Sequence, residues 1–161
     1  MSGTQDLQMT PVEAEAMTAV TDHACRLHAD GKDIVFTAAI VKDDKIIAEA
    51  RNEVADTDDP SRHAEVVAIA EATRKLGERD LSGATLIASC QPCEMCLSTM
   101  RWAGISRVIF AAQQENISDA FFRFPKLTIS DFHAACDGAF AYLGGVQESR
   151  VAHIYSDEGQ S

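Results

Sequence analysis

The pairing of His63-Ala64-Glu65 with Pro92-Cys93-Glu94-Met95-Cys96 constrains this chain more than any other feature. The first of these cysteines follows the histidine by 30 residues. One imidazole and two thiolates hold a zinc ion in three of its four tetrahedral positions and leave the fourth for water. A carboxylate two residues from the histidine can then move that water's protons. Cys93 and Cys96 stand at i and i+3, so on a helix both sulfurs lie on one face of one turn. The positive end of a helix dipole favours thiolates, the form a metal requires. The fold must therefore bring two helix starts together, one with His63 and Glu65 and one with the cysteines.

Taken singly, these residues read otherwise. His63 alone is a surface or capping histidine, Cys93 and Cys96 alone are a redox pair or half of a structural zinc site, and Glu65 alone is a favourable first-turn acid. Their joint order favours catalysis. The sharpest rival recruits Cys90: with His63, Cys93 and Cys96 it would close a Cys3His structural site with no open position. Two features oppose it. Cys90 precedes Pro92, where an extended chain points it away from the helix start, and a structural site leaves Glu65 without a task.

The 161 residues, 46% of them hydrophobic, suit one domain over 1–161, with residues 1–9 and 156–161 as flexible tails. Five cysteines, three of them clustered, favour metal or reduced thiols over a disulfide framework. The N-terminus lacks a basic-then-apolar signal pattern, and apolar runs such as Val108 to Ala112 are too short to span a bilayer. A cytoplasmic protein without membrane contact is expected. The net charge of −11, with no Lys/Arg block, disfavours nucleic acid and favours a small-molecule substrate.

Thr10-Pro11-Val12-Glu13 is a helix start with a capping box, and Gly31 ends that segment. Ile34 to Val41 and Ile46 to Ala50 read as a hairpin across Lys42-Asp43-Asp44-Lys45. Asn52 to Ser61 is a polar loop, Arg62 to Leu76 a helix stopped by Gly77, Ala84 to Ser89 a buried strand, Cys93 to Ala103 a helix and Arg107 to Ala112 a strand. Gln113 to Thr128 has no clear period. Ser130 caps a short helix to about Tyr142, Gly144-Gly145 break it, and Val146 to Tyr155 reads as a last strand. The alternation predicts an α/β fold with helices on both faces of a mixed sheet. Cys25 and Cys136 read as small core residues. His23, His28, His133 and His153 lack paired ligand spacing.

The segments Asp59-Pro60-Ser61-Arg62-His63-Ala64-Glu65-Val66 and Ser89-Cys90-Gln91-Pro92-Cys93-Glu94-Met95-Cys96-Leu97 resemble the zinc-dependent cytidine deaminase superfamily. Trp102-Ala103, Arg107-Val108-Ile109-Phe110 and the Phe36 to Ala50 hairpin extend the likeness over roughly residues 12 to 112. H-x-E with P-C-x-x-C is an established signature of zinc deaminases. Within the superfamily the chain most resembles the guanine deaminase and tRNA adenosine deaminase branch. The resemblance implies a three-layer α/β/α fold with a five-stranded mixed sheet, and a homodimer. It also implies one Zn2+ per chain on His63, Cys93 and Cys96, and Glu65 as catalytic proton shuttle. The backbone amide of Ala64 or Cys93 is implied to steady the reacting carbon. Asn52, Phe36, Trp102 and Tyr155 match substrate-pocket positions. By residue type alone Asn52 is a turn asparagine, Phe36 strand core and Trp102 helix-face core.

The implied activity is hydrolytic deamination of a small amino-substituted nucleobase, with guanine (to xanthine and ammonia) leading. Another small heterocycle (cytosine, a nucleoside, a pterin or a triazine), the adenosine of a tRNA, and a non-catalytic zinc-stabilised domain are the alternatives. Two departures stand out. Gln91 replaces the family's usual Glu before Pro-Cys. Phe121-Phe122-Arg123-Phe124-Pro125 occupies the neighbourhood where guanine-type members carry an acid, for which Asp119 is a candidate substitute.

Overall fold

Helix α1, Pro11–Ala29, starts where the capping box predicts: Glu13 N donates to Thr10 Oγ1 at 3.2 Å, and Thr10 N donates to Glu13 Oε1 at 2.8 Å. The structure, a computed structural model, describes residues 7–156. Strands β1, Thr37–Lys42, and β2, Lys45–Arg51, form an antiparallel hairpin. Its turn residues Asp43 and Asp44 have φ of 52° and 59°, a left-handed pair whose twist matches the strands. After the short helix α2, Val54–Thr57, come α3, Ala64–Leu76, then β3, Thr85–Cys90, α4, Glu94–Trp102, and β4, Arg107–Ala112. Two 3-10 turns, Gln114–Asn116 and Asp119–Phe121, lead to α5, Ile129–Ala135, β5, Ala141–Leu143, and α6, Glu148–Tyr155.

The sheet order is β2-β1-β3-β4-β5, antiparallel across β2-β1-β3 and parallel across β3-β4-β5. The inner parallel strands β3 and β4 are buried on both faces, and alternate residues serve alternate layers. Ile40, Leu86, Val108 and Phe110 pack with Val67 of α3, Met100 of α4 and Ile129 of α5. Val41, Ile87 and Ile109 pack with Met17 and Val20 of α1 and Val151 of α6. The expected α/β fold, a three-layer sandwich around a five-stranded mixed sheet, is present.

The C-terminal third corrects the sequence reading. Val146 to Tyr155 is not a strand: residues Glu148–Tyr155 form a helix that buries Val151, Ile154 and Tyr155, the i, i+3, i+4 pattern of a helical face. The last strand lies earlier, at Ala141–Leu143, inside the segment expected to be helix. The helix there stops at Ala135, before Gly138 at φ 71°. Its cap is Thr128 rather than Ser130, in a second capping box with Asp131. Gly144 is required by packing, because a Cβ there would lie 2.4 Å from the Phe110 ring.

Trp102 is not core. It is 90% exposed, while Leu97 and Met100 take the buried side of α4. Residues 7–9, expected in a loose tail, are held: Leu7 and Met9 pack against the core, and Arg107 donates to the Gln8 carbonyl. Residues 1–6 and 157–161 of the expected tails lie outside the described residues. Among the described residues no helix is long and apolar enough to cross a membrane.

Candidate active site

The residues that cap α3 and α4 are His63 and Cys93, and neither side chain makes a capping hydrogen bond. Both are turned toward each other instead. His63 Nδ1 lies 3.5 Å from Cys93 Sγ and 3.6 Å from Cys96 Sγ, and the two sulfurs are 3.6 Å apart. Among the described residues this trio is the one cluster of three such donor side chains close enough to share a metal ion. A tetrahedral zinc with Zn–S of about 2.3 Å and Zn–N of about 2.0–2.1 Å spaces its ligand atoms by roughly 3.6–3.8 Å. The donor set therefore suits zinc in both chemistry and spacing.

Backbone hydrogen bonds fix this approach. His63 N donates to Ser61 O at 2.8 Å, and Glu53 N donates to Arg62 O at 2.9 Å, tying the entry of α3 to the end of the hairpin. Gln91 N donates to Ala112 O at 2.8 Å, tying the entry of α4 to β4. Both helix starts thus stand at the sheet end where β3 runs out, the usual place for a site in an open α/β sheet.

The cluster's electrostatics follow from crowding. The Cys93 thiol falls to about 4, because hydrogen bonding with Cys96 and with His63 outweighs its burial. Cys96 is pushed well above a normal thiol, first by its hydrogen bond to Cys93 and then by burial. A metal held there would require both sulfurs as thiolates. Glu65 is 5% exposed, and burial lifts its carboxyl to about 7 against a hydrogen bond with Cys96 that pulls it down. Such a carboxyl can both take and give a proton near neutral pH. Cys90 stays outside the cluster. Its thiol is buried at the end of β3 and pushed well above a normal thiol, first by burial and then by the Glu65 charge.

A cavity of about 570 Å³ opens beside the cluster, lined by Phe36, Asn52, His63, Glu65, Phe121 and Arg123 among others. Asn52 lines the cavity and is 9% exposed; its Oδ1 accepts from Val54 N at 2.9 Å, and among the described residues its Nδ2 makes no hydrogen bond. Ala64 is fully buried at the first turn of α3, beside the cluster. Phe36 lines the cavity; Tyr155 does not, but is stacked on Phe36 at 5.2 Å and 8°. The Tyr155 hydroxyl donates to Val35 O and contacts Ser89 Oγ at 2.9 Å. It therefore supports a cavity wall from behind. Trp102 and Asp119 are not among the lining residues, whereas Ala120 is. Met95 and Glu94, the variable positions of the cysteine motif, line the cavity and were missed. Their place in a first helical turn between Cys93 and Cys96 is the signal that pointed to them.

Residues 11–112 match the cytidine and deoxycytidylate deaminase zinc-binding region. A guanine deaminase of Bacillus subtilis (strain 168) is 45% identical over 87 residues, 54% of this chain and 56% of that protein. A tRNA-specific adenosine deaminase of Aquifex aeolicus (strain VF5) is 43% identical over 80 residues, 50% of this chain and 53% of that protein. In these alignments the chain spans about half the length of the curated relatives it matches. The X-ray structure of guanine deaminase from Bacillus subtilis superposes with a TM-score of 0.60 at 34% identity, covering 83% of this chain and 73% of that one.

Proposed function

Because the chain belongs to the zinc-binding family of cytidine and deoxycytidylate deaminases, we propose that it is a zinc-dependent hydrolytic deaminase of a small amino-substituted nucleobase, with guanine as its substrate. The observation that carries this reading is the buried Glu65 carboxyl, which lines the cavity two residues from His63 and beside the His63, Cys93 and Cys96 trio. A structural zinc site has no use for such a carboxyl.

His63, Cys93 and Cys96 would hold the zinc. Bound there, it supplies the Lewis acidity that makes water nucleophilic near neutral pH. Glu65 would take a proton from the attacking water and pass it to the ring nitrogen, then take the second from the hydroxyl on the tetrahedral carbon and give it to the amine, which leaves as ammonia. Phe36 and Phe121, edge to face at 5.5 Å, border a slot for a flat ring. The Asn52 Nδ2 amide donates to an acceptor of that ring. The amide of Ala64, in the first turn of α3, would steady developing negative charge. A homodimer belongs to the same proposal, and the exposed Trp102 is the chain's single tryptophan with which to detect it.

The likeness to a tRNA-specific deaminase favours a second reading, which the net charge of −11 opposes. One assay separates them: ammonia release by the zinc-loaded protein from guanine, guanosine, cytosine, cytidine, adenine, adenosine and a tRNA anticodon hairpin. Turnover of guanine that disappears in Glu65→Ala supports the first reading. Turnover of the hairpin alone replaces it with the second.

A further inference from the structure

Arg123 is the one Arg or Lys that lines the cavity, and among the described residues its guanidinium makes no hydrogen bond or ion pair. We infer that Arg123 is a specificity residue that grips the acceptor edge of a 6-oxopurine from the cavity mouth. This inference rests on the proposed base-deaminating site and names what that site selects.

The reasoning begins with depth. Glu65 is buried and Arg123 is exposed, so the proton-handling end is deep and the guanidinium sits at the mouth. The carbon that loses its amino group must lie at the deep end. In guanine that carbon is C2. Across the ring, C6 carries its oxygen and C5 carries N7, so O6 and N7 face back toward the mouth. A guanidinium is donor-only and forked, and it matches that pair of acceptors with two parallel hydrogen bonds. An acid at this place would instead read an amino group.

The backbone that carries Arg123 is held in place. Gln114 Nε2 donates to Pro125 O and Leu127 O at 3.2 Å each. Leu127 N donates to Phe124 O at 2.9 Å, and Ser118 Oγ accepts from Ala120 N at 3.3 Å. The backbone on both sides of Arg123 is thereby tied down, while Phe121 and Phe122 are half-buried against the cavity. Asp33 and Glu94 also line the cavity, but neither lies within ion-pair distance of Arg123. The guanidinium is left for a ligand.

The test measures dissociation constants on zinc-loaded Glu65→Ala and Glu65→Ala/Arg123→Ala proteins, which bind without turnover. The ligands are guanine, 7-deazaguanine (no N7 acceptor) and 2-aminopurine (no O6). With Arg123 present, guanine binds about tenfold or more tightly than either analogue, the size expected of one lost acceptor in a forked pair. In the double variant both preferences fall toward unity. Arg123→Lys, a point charge without a fork, restores little of them. Equal weakening of all three ligands would mean a loop support only and overturns the assignment, as does binding of none of them. Ammonia release is measured separately on the Glu65-intact protein. Arg123-dependent preference without ammonia release removes the deaminase reading and leaves the pairing standing.

Discussion

Gln91 and Gln114 hold each other by two hydrogen bonds: Gln91 Nε2 donates to Gln114 Oε1, and Gln114 N donates to Gln91 Oε1, both at 3.2 Å. This explains why an amide stands where the resembling family usually has a carboxylate. A carboxylate could accept from Gln114 N, but it has no proton for Gln114 Oε1. Turning Gln114 over would not rescue the pair, because its Nε2 is committed to Pro125 O and Leu127 O. Gln91→Glu should therefore release the segment that carries Arg123. We expect a loss of about 1–2 kcal/mol in urea unfolding, with amide exchange rising over residues 119–127. Unchanged exchange there would show that the pair does not hold the segment.

Tyr155 closes a chain of hydrogen bonds that reaches into the sheet. Thr37 N donates to Ser89 Oγ at 3.1 Å, the Ser89 hydroxyl meets Tyr155 Oη at 2.9 Å, and Tyr155 donates to Val35 O. The ring also backs Phe36. Tyr155→Phe keeps the stack and leaves the Val35 carbonyl without its donor. A loss of roughly 1–3 kcal/mol follows from stranding a buried acceptor, a Tm drop of several degrees for a chain of this length. Tyr155→Ala should lose more and raise KM as Phe36 loosens. A Tyr155→Phe protein as stable as the parent would show that water or a rotated Ser89 replaces the hydroxyl.

Zinc content distinguishes the open site from the closed one. Cys90→Ala should keep one zinc per chain after gel filtration and keep the rise in Tm that zinc confers on the parent by binding the folded state. Cys96→Ala should lose both. The reason is spatial: Cys90 is buried at the end of β3 and takes no part in the cluster of His63, Cys93 and Cys96. Loss of zinc from Cys90→Ala would make the site a closed Cys3His centre and remove the catalytic reading.

The residues that carry chemistry were legible because local rules position them. A histidine and a cysteine at helix starts, an i, i+3 pair and a proline are read within one turn of chain. The hairpin and the first capping box were legible for the same reason. What escaped depended on tertiary context. The last strand is three residues long and holds one buried side chain, Tyr142, too little for a period of two to register. Val146, Val151 and Ile154 are β-branched, a side-chain type that favours strands, whereas the burial of α6 follows a helical period. Trp102 sits about 200° round the helix from Met100, facing away from the sheet, and no single apolar residue reveals which side of a helix meets the core. The cavity wall from Phe121 to Arg123 belongs to irregular turns with no period at all.

Glu13 joins these two levels, since its capping role was legible and its partner 94 residues away was not. Its carboxylate accepts from Arg107 Nε at 2.6 Å and Nη2 at 2.8 Å, from Thr85 Oγ1 at 2.6 Å and from Thr10 N at 2.8 Å. Burial alone would raise this carboxyl, but the hydrogen bonds, led by Arg107, bring it from 4.5 down to about 2. A folded-state value below the unfolded one means that the unfolded chain binds the proton more readily. The stability from this group is therefore complete above about pH 4.5 and lost as pH falls toward about 2. Its size is roughly 3 kcal/mol at 1.36 kcal/mol per unit. Urea unfolding at pH 7, 5, 4 and 3 should show the parent losing more stability across the acid range than Glu13→Gln, with the two converging at the acid end. Parallel profiles would show that the Glu13–Arg107 pair contributes nothing specific to holding α1 on β3 and β4.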